Sequence, residues 1–428
     1  MPLRIPSALL SLALIGWAAP AAAQQEGVAA ADARLGLLTR VDRELLAPQL
    51  EHGPVALVEF SGEAELPAII FAARVRAPAA TVARVIADPT AYPRFMPALD
   101  SVDVQSRRDS SIAYEWTWRT TIFTLRGSNV MTIYPGPGQR RDRPYRIESR
   151  STGGDLGTGR LTWRVYPDGP DRSLLVLSSR LDLRNANYVT RQISQGGRSI
   201  NRTINLSLAL IMVLGTSREA ERVAGAPPVT EGPGHPLERP QVDVRALAPM
   251  MSRGDLLFLH MTGDRLDQVA IVGRPGQSLE RVREVMTDPR EFGPALVPGS
   301  YARVTSEENG EVDFDWGVDI PLVGTSGTMR LNDTGSVVMI EAVGGALTGG
   351  RWRFDTELLP WNEPVVLGWA DFDPATAGWL IRALVQGNPE FGFGIAAGSQ
   401  VMLLRAIRSR AWRRHEQRAA TEARSGGG

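Results

Sequence analysis

Val82-Ala83-Arg84-Val85-Ile86-Ala87-Asp88-Pro89-Thr90-Ala91-Tyr92 returns 200 residues later as Val282-Arg283-Glu284-Val285-Met286-Thr287-Asp288-Pro289-Arg290-Glu291-Phe292. Each copy carries Val82, Val85 and Ile86 (or Val282, Val285 and Met286) at helical spacing and then stops at Asp-Pro, because proline disfavours helix in the residue before it. The same offset carries Ile112, Tyr114, Trp116 and Trp118 onto Val312, Phe314, Trp316 and Val318. Upstream the offset is 201: Val41-Asp42 matches Val242-Asp243, Leu46-Ala47-Pro48 matches Leu247-Ala248-Pro249, Gly53 matches Gly254 and Gly62 matches Gly263. One single-residue indel accounts for the change. A series in one order with one shift is the signature of tandem duplication.

The repeated unit runs over residues 41–223 and again over 242–415. Between them, 224–241 holds Gly225-Ala226-Pro227-Pro228 and Gly232-Pro233-Gly234, a density of Pro and Gly that reads as a linker. Residues 24–40 read as an N-terminal helical segment and 416–428 as a disordered tail.

Within the first unit the pattern predicts a leading helix over Ala30 to Leu50, then strands at Val55 to Phe60 and Ala68 to Val75. A helix opened by Pro78 follows, then strands at Ile112 to Arg119, Val130 to Tyr134, Tyr145 to Arg150, Gly159 to Tyr166 and Leu174 to Leu183. Ile112, Tyr114, Trp116 and Trp118 alternate with Ala113, Glu115, Thr117 and Arg119, as in a half-buried antiparallel strand. A long helix closes the unit from about Asn187 to Arg222, with Ile200, Ile204, Leu208 and Ile211 on one face. The second unit repeats the order, and its last helical region, Pro374 to Arg418, is interrupted at Gly387-Asn388-Pro389.

This order, together with Arg74-Val75-Arg76-Ala77-Pro78 through Ala87-Asp88-Pro89-Thr90-Ala91-Tyr92-Pro93-Arg94-Phe95-Met96-Pro97 and Trp163 on a late strand, resembles the START-like polyketide cyclase/dehydrase and lipid-transport (helix-grip, SRPBCC) superfamily. Asp288-Pro289-Arg290-Glu291-Phe292-Gly293-Pro294 is a more divergent version of the same opening. The resemblance implies an α+β fold of tandem helix-grip domains, each a curved antiparallel sheet around a long C-terminal helix, with a mostly apolar cavity between. Candidate cavity residues are Tyr92, Phe95, Tyr114, Trp116, Trp118, Trp163 and Tyr188 in the first unit, and Phe292, Phe314, Trp316, Trp352, Phe354 and Phe372 in the second. The alternative for each aromatic is solid core, since burial alone contributes roughly 1.5–3 kcal/mol per large side chain. The first unit keeps the family pattern better and is the first place to look for a ligand.

Polar groups are sparse in catalytic patterns. Asp88 and Asp288 have a backbone reason to stand where they do, as caps of the turn that follows. Arg160, Arg164, Arg351 and Arg353 alternate with Trp163 and Trp352, so they face away from them; they read as a solvated face, or as an anion site should the tryptophans turn outward. The chain has four histidines (His52, His235, His260 and His415) and no cysteine, which excludes disulfides and thiolate chemistry; no metal-ligand spacing, nucleophile elbow or phosphate loop is present. No cofactor is expected. Lys+Arg and Asp+Glu each number 47, all the former arginine, so nothing favours a nucleic-acid partner.

Arg4, the apolar run Ala8 to Ala19 and Ala21-Ala22-Ala23 read as a secretory signal over residues 1–23, with an uncleaved anchor as the alternative; the apolar run is shorter than the about 20 residues of a membrane span. The expectation is an exported, periplasmic protein after cleavage near Ala23. Arg405, Arg408, Arg410, Arg413 and Arg414 with Trp412 are a candidate for peripheral contact with anionic lipid, against the alternative of a solvated helix end. Three functions compete: binding or carrying a hydrophobic small molecule (lipid, sterol, quinone or polyketide-like); an aromatase/cyclase-type enzyme using Tyr114 or Tyr188 with an arginine; and an interaction module with one ligand-free copy.

Overall fold

The computed structural model describes residues 38–60, 68–119, 124–136, 143–182, 198–229, 237–319 and 324–425. Unit one begins with α1 (Arg40–Leu46), capped by Thr39: the Thr39 N–H donates to Asp42 Oδ2 at 2.8 Å and the Asp42 N–H to Thr39 Oγ1 at 3.1 Å. Then come β1 (Val55–Glu59), β2 (Ile69–Val75) and α2 (Ala79–Ile86). A meander follows of β3 (Leu99–Arg108), β4 (Ser111–Arg119), β5 (Thr124–Ile133), β6 (Tyr145–Gly154), β7 (Thr158–Pro167) and β8 (Ser173–Asp182), closed by α3 (Arg198–Ala224). Unit two repeats it with α4 (Val244–Met251), β9 (Gly254–Thr262), β10 (Arg265–Gly273), α5 (Leu279–Met286) and α6 (Pro289–Phe292). Its meander is β11 (Ser300–Glu308), β12 (Glu311–Val318), β13 (Thr325–Asp333), β14 (Val337–Gly345), β15 (Arg351–Leu358) and β16 (Pro364–Asp371), closed by α7 (Trp379–Gly387) and α8 (Pro389–Ser425). The fold is α+β, and the chain breaks between α7 and α8 at Asn388-Pro389, where the sequence places the interruption.

Asp88 and Asp288 do the same work in both copies. Asp88 accepts the Thr90 N–H at 3.2 Å and Asp288 the Arg290 N–H at 3.0 Å, so each caps the turn begun by its proline.

Two strands go beyond the sequence reading. β3 and β11 are the outermost strands of the sheet. Most of their residues are exposed or half-buried, so polar side chains interrupt the period-two apolar signal, and a bulge at Val104/Ser106, repeated at Val304/Ser306, breaks the alternation further.

All sixteen strands form one antiparallel sheet, joined where β1 pairs with β9. The register at this seam sets Ala56 opposite Leu257, Val55 opposite Phe258 and Leu57 opposite Leu256. Ala56 and Leu257 are themselves equivalent at the 201-residue offset, so a pseudo-twofold axis passes between them, as in an isologous dimer. The hydrogen bonds obey it: the Met261 N–H donates to the His52 carbonyl and the Phe60 N–H to the Arg253 carbonyl, each at 2.8 Å. So do the paired glycines. A Cβ on Gly53 would run into the Leu259 carbonyl, and one on Gly254 would stand 2.5 Å from the Val58 carbonyl.

Period-two alternation splits the seam into two cores. Ala56, Val58, Leu257 and Leu259 face inward with the large cluster under α3 and α8. Val55, Leu57, Leu256 and Phe258 face outward and are covered by Leu46, Leu247, Met250 and Met251 from α1 and α4. The duplicated leading segment is thus the lid over the outer face of the seam. Across it, Arg253 of unit two pairs with Asp42 of unit one at 2.8 Å.

α3 and α8 cross each other on the inner face. Gly394 and Gly398 on α8 lie against Ser207 and Thr203 on α3, so close that a Cβ at either glycine would overlap those side chains. α8 is also tied to the seam by Arg408, whose guanidinium grips the fully buried Asp255 at 2.5 and 3.2 Å, with Arg405 at 3.4 Å. No helix among the described residues is long and apolar enough to cross a membrane. Within α3, the apolar run Ile204 to Leu214 is interrupted by Asn205, which turns to β8 and accepts the Ser179 hydroxyl at 2.5 Å.

Candidate ligand-binding chambers

Two cavities lie between the inner face of the sheet and the helices. Chamber one, about 160 Å³, is lined by β4, the β6–β7 connection and α3. Chamber two, about 420 Å³, lies in unit two, with α3 of unit one completing its wall. The larger chamber is therefore in the second unit, whereas the sequence pattern directed the search for a ligand to the first. Its lining includes the small side chains Ala302 and Ala377 alongside Phe292 and Trp352.

In chamber one, Tyr92, Tyr114, Trp116 and Trp118 line the wall. Phe95 does not line it; it packs edge-on to Tyr92, ring centroids 5.7 Å apart. Trp163 does not either: at 1 % exposure it is solid core, opposite Ile147 and Leu177 on the neighbouring strands. Tyr188 lies outside the described residues. In chamber two, Phe292, Phe314, Trp316, Trp352 and Phe372 line the wall, while Phe354 is buried in the core beside them. The sequence reading did not pick out Phe391 and Ile395 of α8 or Thr203, Ile204, Ser207 and Leu208 of α3 as part of the same wall. The α3 face formed by Ile204, Leu208 and Ile211 was legible; that it serves both units was not, because nothing local signals which partner a helix face meets.

The polar groups of chamber one are neutral. Tyr114 Oη lies 3.2 Å from Ser149 Oγ and accepts from Asn129 Nδ2 at 3.1 Å. Burial pushes the phenols of Tyr92 and Tyr114 up, for Tyr114 against the opposing hydrogen bonds from Ser149 and Asn129, so both stay protonated at neutral pH. Thr158 Oγ1 is buried with no hydrogen-bond partner among the described residues, and so is the indole N–H of Trp316 in chamber two. Among the described residues lining either chamber there is no Asp, Glu, His or Arg. The described residues hold no group of His, Asp and Glu able to bind a metal ion.

The arginines of β7 face outward, away from Trp163, but not as a solvated face. Arg160 donates to Glu148 at 2.7 Å, and Arg164 is buried. Burial raises the Glu148 carboxyl, but hydrogen bonds from Arg160 and Arg146 outweigh that and hold it below the usual carboxylate range. Arg351 pairs with Asp371 at 2.9 Å. Of the C-terminal arginines, Arg405 and Arg408 turn inward to Asp255, and Arg414 pairs with Glu284 and Glu291 at 3.2 and 2.8 Å.

Residues 75–201 match the family model described as polyketide cyclase / dehydrase and lipid transport. Unit one has the START-like fold that this model describes. Unit two is its duplicate, strand for strand. No curated protein matches the chain. Among solved structures, the Zhui aromatase/cyclase from Streptomyces sp. R1128 is 18% identical, with 36% of this chain and 93% of that one covered and a TM-score of 0.31. The di-domain aromatase/cyclase StfQ from the steffimycin biosynthetic pathway is 12% identical, covering 81% of this chain and 99% of its own, with a TM-score of 0.29. A STAR-related lipid transfer protein from Xanthomonas axonopodis is 12% identical, covering 40% and 94%, with a TM-score of 0.32. The assignment of a START-like fold rests on the model match and on the repeat.

Proposed function

We propose that the protein binds and carries an apolar small molecule in the bacterial periplasm. The observation that supports this is chamber two: about 420 Å³ walled by hydrocarbon and aromatic side chains, within the range of roughly 300–1,000 Å³ typical of ligand pockets. Tyr92 and Tyr114, the ionisable groups of chamber one, are phenols that burial moves still further from ionising, which suits holding a ligand better than moving protons. Export is supported by the basic start at Arg4, the apolar run and Ala21-Ala22-Ala23.

Native mass spectrometry of protein purified without detergent, followed by solvent extraction, tests the binding. The expected result is a co-purifying apolar molecule, and uptake of the neutral dye N-phenyl-1-naphthylamine after extraction. Ile395→Asp, which buries a charge in chamber two, should abolish that uptake. An extracted, folded protein that takes up no dye would sink the proposal. N-terminal sequencing of periplasmic protein should begin at Gln24; a chain retaining Met1 would count against export.

A further inference from the structure

The two chambers are not independent. Trp118, Leu156 and Leu208 line both. Trp118 stands between the units: its ring stacks on Phe391 of α8 with centroids 5.1 Å apart and planes 16° from parallel, and its indole N–H donates to the Pro97 carbonyl at 2.9 Å. The common wall is thus made of side chains from a strand, a turn and a helix, and one of its members is contributed to a contact between the units.

The chambers are also unequal in complementary ways. An engineered apolar cavity of about 150 Å³ is filled by benzene, so chamber one, at about 160 Å³, has room for a group of ring size. Its wall nevertheless carries a cluster of neutral hydrogen-bonding groups: Tyr114, Asn129 and Ser149. Chamber two is larger by more than twofold and almost wholly apolar. A carboxylate or phosphate in either would be buried with no countercharge on the described lining, at a cost far above that of a hydroxyl or carbonyl.

We infer that the two chambers are one composite site, spanning both units, for a single uncharged long-chain amphiphile. Its oxygen-bearing head lies beside Tyr114 and Ser149 in chamber one, and its hydrocarbon passes Trp118 and Leu208 into chamber two. This rests on the hydrophobic-ligand reading above and specifies its ligand class as neutral lipid. It also gives the duplication a function, because neither unit alone encloses the site: α3 of unit one walls chamber two.

Calorimetric titration of the full chain with 1-alkanols from octanol to hexadecanol, delivered from cyclodextrin, tests it. The expected result is one alkanol per chain across the series, with affinity rising roughly three- to fourfold per added methylene. Leu208→Trp, which fills the passage, should weaken hexadecanol by at least about tenfold more than it weakens octanol, the gain of two methylenes. Leu156→Trp, on the connecting turn, should do the same and guards against a helix variant that fails to fold. Two alkanols per chain at saturation, or hexadecanol affinity unchanged in both folded tryptophan variants, would overturn the composite site while leaving hydrophobic binding intact. If the folded chain binds no alkanol at all, the hydrophobic-ligand reading fails and this inference with it.

Discussion

Tyr114 was legible as an inward residue from its place in the Ile112, Tyr114, Trp116, Trp118 alternation, but its partners were not. Asn129 is on β5 and Ser149 on β6, and only the strand register brings them together. Because the Asn129 amide donates to the phenol oxygen, Tyr114→Phe strands a half-buried donor. The expected cost is about 1–3 kcal/mol in urea unfolding, with weaker binding of oxygen-headed ligands and little change for a plain hydrocarbon. Glu148 carries the opposite lesson, since the sequence offered no partner for it. Its carboxyl is held below the usual range in the folded state, so its stabilisation is present above the unfolded value of about 4.3 and is lost as pH falls through the lower folded value. Unfolding measured from neutral pH down to acid should therefore show a steeper loss in the wild type than in Glu148→Gln, whose curve is flatter over that window and whose stability at neutral pH is lower. Equal slopes would show that Glu148 is not part of the acid response.

At the scale of elements, the alternating strands were read correctly and the edges were not. The helix expected over Ala30 to Leu50 is described only from residue 38 and ends at Leu46, before a separate 3-10 turn at Gln49–Glu51; the part of the closing helix expected over 187–197 lies outside the described residues. β4 announced itself through four large apolar residues at alternate positions, whereas β3 and β11 pack on one side alone and carry mostly solvent-facing polar groups. The crossing of α3 and α8 was also hidden. Its signal was present in Gly394-Ile395-Ala396-Ala397-Gly398, two glycines four apart on what proves to be one helix, yet glycine inside a helix ordinarily weakens it. At a free helix position Gly→Ala should stabilise by about 0.5–1 kcal/mol. Here the sign reverses, because the new methyl of Gly398→Ala overlaps the Thr203 side chain. The variant should lose about 1–3 kcal/mol, measured by thermal or urea unfolding, and pairing it with Thr203→Ala should recover much of that loss. A gain in stability for Gly398→Ala would mean that the helices do not cross here.

Over the whole molecule, duplication was the most legible feature of the sequence, while the way the copies join was invisible to it. Two tandem domains on a Pro/Gly linker suggest beads on a string; the pairing of β1 with β9 makes them one sheet instead. The 201-residue offset that relates Gly53 to Gly254 and Leu46 to Leu247 already contained the explanation, since those residues are the close-approach glycines and the outer lid of the seam. A chain ending at residue 229 would lose β9 and α4 together. It would then expose the unpaired backbone of β1 and the apolar outer row of Val55 and Leu57, which is the arrangement that recruits another strand. Because Ala56 sits on the pseudo-twofold axis opposite its own equivalent, a second copy of the truncated chain can take the place of unit two. Light scattering should therefore show residues 38–229 as a dimer or larger assembly. Co-expression with residues 237–425 should convert it to a one-to-one complex, because the native seam adds the Asp42–Arg253 pair and the matched lid of α1 and α4. A stable, soluble monomer of residues 38–229 would show instead that unit one closes its own core and that the continuous sheet is incidental to its stability.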